Sequence, residues 1–518
     1  MKKRKSKHVV FKPYTMGQLQ LPTNLEDLIP ENHVVRVVNE TIDNMDLSIL
    51  IRQYKGGGTS SFHPKMMLKV LIYAYTQQIY SSRQIAKALR ENVNFMWISA
   101  NNRPDFRTIN RFRGIVMREI MEEVFTAVVA LLIEEGYVKL ENYFVDGTKM
   151  EANANKHTAV WAKSTGRYKG QLQKKIQELL DDIDRENEEE NEEYGDRDLE
   201  ELGEGRPIDT EKIEKKMQEL NERLRKEPKD KKLSKALRKL ERDYWPRWKK
   251  YEEQEKKLGD RNSYSKTDED ATFMRMKGEP PGGKVWPKAG YNIQMGTENQ
   301  FVVGYSVHQR PGDFGCLIPH LERIRRWFGR LPEKVIADGG YGSEENYDYL
   351  ESAKVGPYIK YNSFHREQTR KYRQNPFLAD NLVYDEQKDE FICPAGKQLI
   401  YQETSQRRTE NGYLTEKRHY ECEDCYGCAL REQCTRAVGN RRIQISFRLE
   451  EMKKRASDNL HSEEGQRLRS RRGVEVESVF GRLKWNWGFR RFLLRGKEKV
   501  EIEWGLLCIA HNMTKMAA

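Results

Sequence analysis

The chain has 518 residues, a formal net charge of +12 and a sequence pI near 9.1. Hydrophobic residues make up only 37% and charged residues 33%, so part of the chain must be solvated rather than buried. No run approaches the roughly eighteen apolar residues of a membrane span, and the basic start at Met1 leads into no apolar signal segment. These features exclude a membrane or secreted protein, predict a cytoplasmic location and favour a polyanionic partner.

Residues 1–135 are predicted to form an all-helical domain. An apolar helix starts at Pro64, a second follows with Ser82 as its N-cap, and a third lies around Thr108–Met121. The basic residues expected to face outward are Arg83, Lys87, Arg90, Arg103, Arg107, Arg111 and Arg113. Short helices with outward basic residues resemble a helix-turn-helix unit on duplex DNA. The alternative is a plain helical bundle that helps the chain dimerise or braces the core.

Two apolar, β-branched runs each end in an aspartate, Tyr143-Phe-Val-Asp146 and Val335-Ile-Ala-Asp338. Each run predicts a buried strand that delivers a carboxylate at its C-terminal end. A helical pattern farther on carries Glu477. Three converging acids would repel one another unless cations lie between them, and their hard oxygen ligands suit Mg²⁺ or Mn²⁺. In a two-ion site of this kind phosphodiesters are cut and rejoined.

An insert over residues 161–260 separates the two aspartate strands. Its apolar residues follow the 4-3-4 spacing of a coiled-coil seam. The three runs are Leu172, Ile176, Leu179 and Ile183; Ile213, Met217, Leu220 and Leu224; and Leu233, Leu237, Leu240 and Tyr244. We interpret the insert as a mostly exposed helical hairpin with an acidic tip over residues 184–204. A spacer, a dimer contact and a DNA clamp all remain open as its role.

From Gly290 the pattern returns to a sheet, because Tyr291–Met295 alternates and Phe301–His308 follows as the second arm of a hairpin. The next predicted elements are a helix near Asp313–Phe328, the Asp338 strand, a helix from Ser343 and a strand at Pro357–Tyr361. This is the element order of a ribonuclease-H-like α/β core. We assign residues 136–160, 286–362 and 466–518 to that core.

The remaining segment, residues 363–465, is a second, Cys-rich insert. It holds Cys393, Cys422, Cys425, Cys428 and Cys434. An odd total and an uneven clustering do not fit a disulfide framework. Two interpretations stay open: a structural Zn²⁺ held by four of these thiolates, or buried or redox-sensitive free thiols. Cys316 and Cys508 sit in apolar runs and are predicted to be core residues.

Basic side chains surround Glu477 in the sequence. Between Gln466 and Lys499 there are eleven Lys or Arg against three acids, a composition suited to a phosphate backbone. Aromatic residues alternate with the basic ones at Trp485, Trp487 and Phe489. Either one ring stacks on an unpaired base, or these rings belong to the core.

Eight phrases follow one another along the chain. They are Leu28-Ile-Pro-Glu-Asn-His33, Ser82-Arg-Gln-Ile-Ala, Pro104-Asp-Phe-Arg-Thr-Ile-Asn-Arg-Phe112, Val145-Asp-Gly-Thr-Lys-Met-Glu-Ala-Asn-Ala-Asn155, Thr267-Asp-Glu-Asp-Ala271, Tyr291-Asn-Ile-Gln294, Ile336-Ala-Asp-Gly-Gly-Tyr341 and Ile509-Ala-His-Asn512. In this order they resemble bacterial insertion-sequence transposases of the DDE class, over nearly the whole chain.

The resemblance implies that Asp146, Asp338 and Glu477 are the catalytic acids and hold two Mg²⁺ or Mn²⁺ ions. Lys484, seven residues after the glutamate, matches the family's lysine and is expected to hold a terminal phosphate. Asp268 and Asp270 lie in a shared phrase and either belong to the site or cap a loop near it.

The family often places an arginine four residues before the glutamate, where this chain has Gly473. Arg472, one residue earlier, is expected to take that role. Glu477, rather than Glu475, is expected to be the third catalytic acid, because Glu477 fits the family spacing. The buried stripe of the helix is then Val476, Val479, Phe480 and Leu483.

The expected function is a DNA transposase that binds terminal inverted repeats, cleaves at the ends with divalent metal and transfers the 3′-hydroxyl strands to target DNA, acting as a homodimer. The expected DNA-binding residues are Lys484, Arg472, Arg490, Arg491, Arg83, Lys87, Arg107 and Arg111. The alternatives are a ribonuclease-H-like nuclease that only hydrolyses and a noncatalytic DNA-binding regulator derived from a transposase.

Overall fold

The computed structural model describes residues 24–46, 48, 61–194, 210–226, 231–276, 286–409 and 411–518. The chain divides into two compact units, Met1–Ile120 with Ala510–Ala518, and Met121–Ile509. Across the described ranges, no helix has the length and apolar character needed to cross a membrane. Most of the predicted acidic tip lies outside the described residues or in a stretch whose side chains are not described.

The first unit is helical throughout its described part. Its helices are Val34–Asn44, Pro64–Thr76, Ser82–Glu91, Val93–Ile98, Phe106–Arg111 and the start of Met117–Glu134. Side chains accept hydrogen bonds from the free N–H groups at several helix starts. Asp105, for example, accepts one from Thr108 N at 2.7 Å. The Pro64 helix is almost entirely buried, as its apolar sequence predicts. The residue before the second helix is Ser81, so Ser82 is its first residue rather than its N-cap.

The second unit is built on a mixed sheet. Its strands are β1 Asn142–Glu151, β4 Thr272–Met274, β5 Lys288–Glu298, β6 Phe301–His308, β7 Lys334–Ala337 and β8 Gly356–Ile359. The short strands β2 Ala159–Trp161 and β3 Ser263–Ser265 pair with each other. Strand β5 is antiparallel to β6 and β1, and β1, β7 and β8 run parallel in that order. The strand order is β6-β5-β1-β7-β8, with β4 also paired to β5, and along the chain the elements follow the predicted sequence of strand, hairpin, strand and strand.

The first predicted active-site strand is longer than expected. Asp146 was predicted to end β1, but the strand continues to Glu151 because it pairs with β5 from Phe144 onward. On its other edge β1 pairs with β7 only as far as Phe144. Asp146 therefore lies just beyond the parallel pairing, next to the point where Asp338 follows the end of β7.

Helices pack beside this sheet and carry the remaining candidate residues. Leu317–Phe328 follows β6, and Glu344–Ser352 lies between β7 and β8. A continuous helical stretch runs from Glu463 to Asn486, with π-helical turns over Gly473–Glu477 and Arg482–Asn486. The first of these turns packs against β1 and β5. The last helix is Lys497–Met516.

The three seam runs of the helical insert share one apolar core. The helices are Ala162–Tyr194, Thr210–Lys226, Lys231–Lys239 and Trp245–Leu258, the last two joined by a π-helical turn. Leu172, Ile213 and Leu240 are all buried in that core. Residues 231–258 thus form a third helical arm that packs against the two arms of the predicted hairpin.

The Cys-rich segment forms a separate antiparallel sheet. Its strands are β9 Val383–Asp385, β10 Glu390–Ile392, β11 Gln398–Arg408, β12 Leu414–Cys422 and β13 Arg442–Ile445. Short helices lie at Phe364–Glu367, Arg370–Arg373 and Arg431–Cys434, and helix Phe447–His461 leads back to the core.

Candidate active site

The three predicted acids meet at one guanidinium group. Nη2 of Arg472 lies 3.6 Å from Oδ1 of Asp146 and 3.6 Å from Oδ2 of Asp338, while Nη1 lies 3.0 Å from Oε1 of Glu477. The structure therefore brings together all three carboxylates, from two strands and a helix that are far apart in the sequence. Arg472 is the cation between them.

The acids differ in how far they are open to solvent. The side chains of Asp146 and Arg472 are 10% and 13% exposed, whereas those of Asp338 and Glu477 are 38% and 53% exposed. The site thus has a buried floor and an open rim. A large substrate can reach the open rim without unfolding the sheet.

Local backbone structure fixes two of these side chains. Asp338 caps the short 3₁₀ turn Gly339–Tyr341 by accepting a hydrogen bond from Gly340 N at 2.9 Å. Glu477 ends the π-helical turn that begins at Gly473. Because a π turn holds one more residue than an α turn, it brings Arg472 and Glu477 to the same side of the helix.

A fourth carboxylate, Asp313, lies beside the site and was missed by the sequence reasoning. Its Oδ1 accepts hydrogen bonds from the side-chain amides of Asn292 at 2.7 Å and Gln294 at 3.0 Å. A Cβ atom at position 147 would stand only 2.4 Å from that oxygen, so the glycine after Asp146 is required by close packing. Asn292 and Gln294 are two residues apart on β5 and therefore lie on the same face of the sheet. This spacing was the signal in the sequence for a polar partner that both amides share.

The charged groups of the site change the pKa values of two neighbouring side chains. The pKa of Tyr341 is raised well above its usual value by burial and then by the charges of Asp313, Asp146 and Asp338. The pKa of Lys360, just after β8, is lowered by burial and by repulsion from Arg472 and Arg469. Lys360 is thus a further basic residue near the site, and the sequence reasoning did not select it.

Lys484 lies near the site on the same helical stretch as Glu477. Its Nζ donates hydrogen bonds to Oγ1 of Thr148 at 2.9 Å and to the carbonyl of Lys149 at 3.4 Å. Thr148 is two residues past Asp146 on β1, a separation of about 7 Å along a strand. The ammonium group is therefore held next to the acids by β1 itself.

The other two basic residues of this region have different surroundings. Arg491 donates to the carbonyls of Ala152 at 3.0 Å and Ala154 at 2.8 Å, so it anchors the chain after β1. Arg490 is exposed and its guanidinium carbon lies 4.2 Å from the centroid of the Trp485 ring, which is 66% exposed. Trp487 and Phe489 are buried, as the core interpretation of these rings predicts.

The first unit presents most of its predicted basic residues to solvent. Arg83, Lys87, Arg107 and Arg111 are exposed. Arg83 and Arg107 flank the ring of Phe106 at 5.1 and 5.7 Å from its centroid. The prediction for Arg113 was wrong. It is buried and donates a hydrogen bond to the carbonyl of Tyr80 at 2.6 Å, in the segment between the helices Pro64–Thr76 and Ser82–Glu91.

Asp268 and Asp270 cap the start of the last helix. Oδ1 of Asp268 accepts hydrogen bonds from the Tyr291 hydroxyl at 2.8 Å and from Gly496 N at 3.1 Å. Oδ2 of Asp270 accepts one from Lys497 N at 2.9 Å. This agrees with the capping interpretation of the phrase.

The five clustered cysteines line one small cavity beside the antiparallel sheet. Cys393, Cys422 and Cys425 are buried, and Cys428 and Cys434 are partly buried. Sγ of Cys434 accepts a hydrogen bond from Arg441 Nη1 at 2.9 Å. Throughout the described part of the chain, no three His, Cys, Asp or Glu side chains are arranged to hold a metal ion. At the three carboxylates, the guanidinium of Arg472 holds the central position instead.

Comparison with known proteins adds two matches. Residues 23–114 match a family model described as Transposase domain (DUF772), and residues 392–517 match one described as Transposase DDE domain. The chain is a DDE transposase of the insertion-sequence type. No curated protein and no solved structure matches it.

The transposase is thus an enzyme that acts on DNA. Its DDE match contains Glu477, Lys484 and Arg472, whereas Asp146 and Asp338 precede it. Transposases of this class generally use divalent metal ions. The three carboxylates are not arranged to hold an ion here, but their oxygens are the type of ligand that Mg²⁺ and Mn²⁺ take, so the chemistry of the donors fits such ions.

Proposed function

We propose that the transposase cleaves the ends of its element and joins the freed 3′-hydroxyls to target DNA at the site formed by Asp146, Asp338 and Glu477. The observation that carries this proposal is the convergence of the three carboxylates on Arg472. Clustered carboxylates repel one another unless positive charge lies between them. A cluster of this kind is suited to cations, which in turn attract a polyanionic substrate, and much less to a purely structural role.

The three acids would hold two divalent ions, which when bound polarise the scissile phosphate and activate the attacking water or 3′-hydroxyl. Asp146 lies on β1 and Asp338 directly follows β7, and these two strands are paired in a buried sheet, so the spacing of the two carboxylates is rigid. Glu477 approaches from a helix and is the most exposed of the three. Water and a 3′-hydroxyl attack in the same pocket, so the enzyme forms no covalent bond to DNA.

Lys484 holds a phosphate beside the cleavage position in this proposal. Its hydrogen bonds to Thr148 and Lys149 place the ammonium group beside β1, two to three residues past Asp146. Charge-assisted bonds to phosphate are stronger than those between neutral groups. Arg472 and the exposed Arg490 extend the same phosphate-binding surface.

The first unit binds the terminal inverted repeats through its exposed basic residues in this proposal, so that residues 1–135 act as the DNA-binding domain. Phosphate contacts make affinity depend on salt. We expect replacement of both Arg83 and Arg107 by alanine to weaken binding to end DNA about tenfold and to lower the salt slope by about two. Arg118, an exposed residue beside Glu119, is the matched control.

Two inserts interrupt the catalytic core in this proposal, the helical insert over residues 161–260 and the Cys-rich insert over residues 363–465. The insert helices are exposed enough to contact DNA or a second copy. Because two element ends must be cut and joined together, we expect a homodimer in the complex with DNA. The size of the protein–DNA complex in solution tests this.

Four of the five clustered cysteines take up a structural Zn²⁺ in this proposal. Burial and a hydrogen bond with Cys425 raise the pKa of Cys422 to about 12, so without a cation this thiol stays protonated. Zinc requires thiolates and lowers their pKa by binding them. Measuring the zinc content of the purified protein tests this. We expect Cys425→Ala to lose the zinc and Cys316→Ala, a core residue elsewhere, to keep it.

The catalytic proposal is tested by incubating the full chain with element-end DNA and Mg²⁺. Asp146→Asn and Glu477→Gln should bind the DNA and fail to cut it. Asp348→Asn is the matched control, because the Asp348 side chain is partly exposed and pairs with Arg448 rather than with Arg472. Cutting and joining by the wild type and the control alone would support the proposal.

The two alternative functions give different outcomes in the same assay. Cutting without joining by a protein that is otherwise active would favour a nuclease. Specific binding by every variant with no cutting would favour a regulator that has kept the fold. Normal cutting and joining by Asp338→Asn would overturn the assignment of the acids.

A further inference from the structure

Arg472 stands in the position that a divalent ion must share with the carboxylates. One of its nitrogens lies at the same distance, 3.6 Å, from Asp146 and Asp338, and the other contacts Glu477. An ion bound by these acids needs oxygens at about 2.0–2.1 Å, which draws the carboxylates inward onto the ion. The guanidinium and an ion therefore compete for the same oxygen atoms.

The surroundings make joint occupancy unfavourable. Two like charges a few ångströms apart in a partly buried site repel strongly. Positive charge is already crowded there, because the charges of Arg472 and Arg469 help to lower the pKa of Lys360. Nε of Arg472 is also buried without a hydrogen-bond partner, so the guanidinium is held here mainly by the carboxylates.

We propose that Arg472 and the divalent ions are alternative occupants of one carboxylate cluster, so that metal loading releases the guanidinium to a DNA phosphate. This inference rests on the proposed function. Arg472 keeps the three acids assembled before metal arrives. Once displaced, it stays on the helix that borders the site and pairs with the substrate, which replaces the lost carboxylate contacts.

Exchange of this kind links metal binding to DNA binding. Without DNA, metal can bind only if the guanidinium leaves the carboxylates, and this lowers the apparent metal affinity. When a DNA phosphate binds the released guanidinium, the metal affinity is restored. By reciprocity, metal raises the affinity for the phosphate by the same factor. The enzyme would then load metal most readily when an element end is already bound.

The test measures Mn²⁺ binding to the full chain without DNA, by the loss of the free-ion electron paramagnetic resonance signal. Arg472→Gln should bind Mn²⁺ at least about tenfold more tightly than the wild type, because a competing cation is gone. Arg467→Gln is the matched control, since Arg467 lies on the same helix, carries the same charge and is 65% exposed. The control should stay within about twofold of the wild type.

A second measurement keeps the test valid if the variant is less stable. Thermal unfolding with and without Mg²⁺ should show a lower midpoint for Arg472→Gln in the absence of metal, because the acids then repel one another. It should also show a larger gain from Mg²⁺ than in the wild type, since a ligand stabilises the state that binds it.

Failure of this inference differs from failure of the proposed function. If Asp338→Asn abolishes Mn²⁺ binding but Arg472→Gln binds no better than the wild type, the exchange is wrong and the metal site stands. If neither the wild type nor Arg472→Gln, both folded, binds Mn²⁺ at the acids, both proposals fall. If Arg467→Gln gains as much Mn²⁺ affinity as Arg472→Gln, the gain comes from the change in net charge alone. That result would also overturn the exchange.

Discussion

Nη1 of Arg472 lies 3.0 Å from Oε1 of Glu477, five residues later on the same helix. In an α-helix, residues that face each other are three or four apart. The π-helical turn over Gly473–Glu477 supplies the extra residue. The arginine expected four residues before the glutamate is therefore present in space although it is displaced by one in sequence.

Deleting Val474, which is 59% exposed inside this turn, should be tolerated. A π turn behaves as a one-residue insertion in a helix, so its removal leaves an α-helix with both flanks in place. We expect a thermal midpoint within a few degrees of the wild type and retained cleavage. Inserting one alanine after Val474 instead would place Arg472 and Glu477 six residues apart, turn one about 100° further from the other and should abolish cleavage. Equal loss of cleavage in the deletion and the insertion would contradict the role given to the π turn.

Glu475 and Glu477 should respond differently to amide substitution. Glu475 is 3% exposed, accepts a hydrogen bond from Gln300 N at 2.7 Å and pairs with Arg471. Glu475→Gln should cost roughly 1–3 kcal/mol of unfolding free energy in urea, because it weakens a buried charged contact. Glu477→Gln should leave stability nearly unchanged and lower end cleavage by about a thousandfold. The reverse pattern would make Glu475 the catalytic acid.

Glu298 should be one of the strongest stability determinants of the catalytic sheet. Its carboxylate accepts hydrogen bonds from the backbone N–H groups of Lys139, Leu140, Glu141 and Asn142, at 2.6 to 3.0 Å. Glu298→Gln would turn an acceptor into a donor that faces these N–H groups. We expect a loss of about 2–4 kcal/mol in urea unfolding. Glu333→Gln is a surface comparison that should change stability by less than about 0.5 kcal/mol.

Lys484 and Arg491 were both predicted to bind DNA, but their contacts predict different phenotypes. Arg491 donates to two backbone carbonyls after β1, so Arg491→Ala should lower the thermal midpoint. Lys484→Ala should cost less stability and weaken binding to end DNA, with a salt slope lower by about one. Unchanged DNA affinity and salt slope in Lys484→Ala would remove this lysine from the binding surface.

A buried hydrogen-bonded chain should make stability depend on pH. His320 is hydrogen-bonded to the Tyr143 hydroxyl at 2.6 Å and to the Ser306 hydroxyl at 2.8 Å, and Ser306 also contacts His308 at 2.7 Å. Burial, and then the charges of Lys497, Arg310 and Arg323, lower the pKa of His308 to about 3. Burial lowers the pKa of His320 well below 6.5.

The direction of the pH effect follows from proton binding. Below pH 6.5 the unfolded chain protonates these histidines while the folded chain does not, so stability falls as pH falls from 6.5 toward 3. Each histidine contributes at most about 1.4 kcal/mol per pH unit. Urea unfolding at pH 7 and pH 5 should therefore show a smaller loss in His308→Asn than in the wild type. An equal loss in both proteins would contradict the neutral state of His308.

Local patterns predicted the elements around the site well. The alternation at Tyr291, the apolar run before Asp338 and the stripe from Val476 to Leu483 each report burial on one element, and the structure confirms that burial. The position of Asp146 within its strand was wrong, because strand length depends on a partner, β5, that comes much later in the chain. Arg113 was wrong for a similar reason, since its partner Tyr80 lies on another segment.

By itself the sequence determined the class of fold, the order of its elements and which three acids are the catalytic candidates, because apolar periodicity and the transposase phrases are local signals. Only the tertiary structure decided that Arg472 is the cation among those acids, that Asp313 and Lys360 stand nearby and that Arg491 supports the backbone. These facts depend on where side chains from distant segments meet. Such contacts are set by strand pairing, by helix packing and by a single π turn, none of which residue spacing alone specifies.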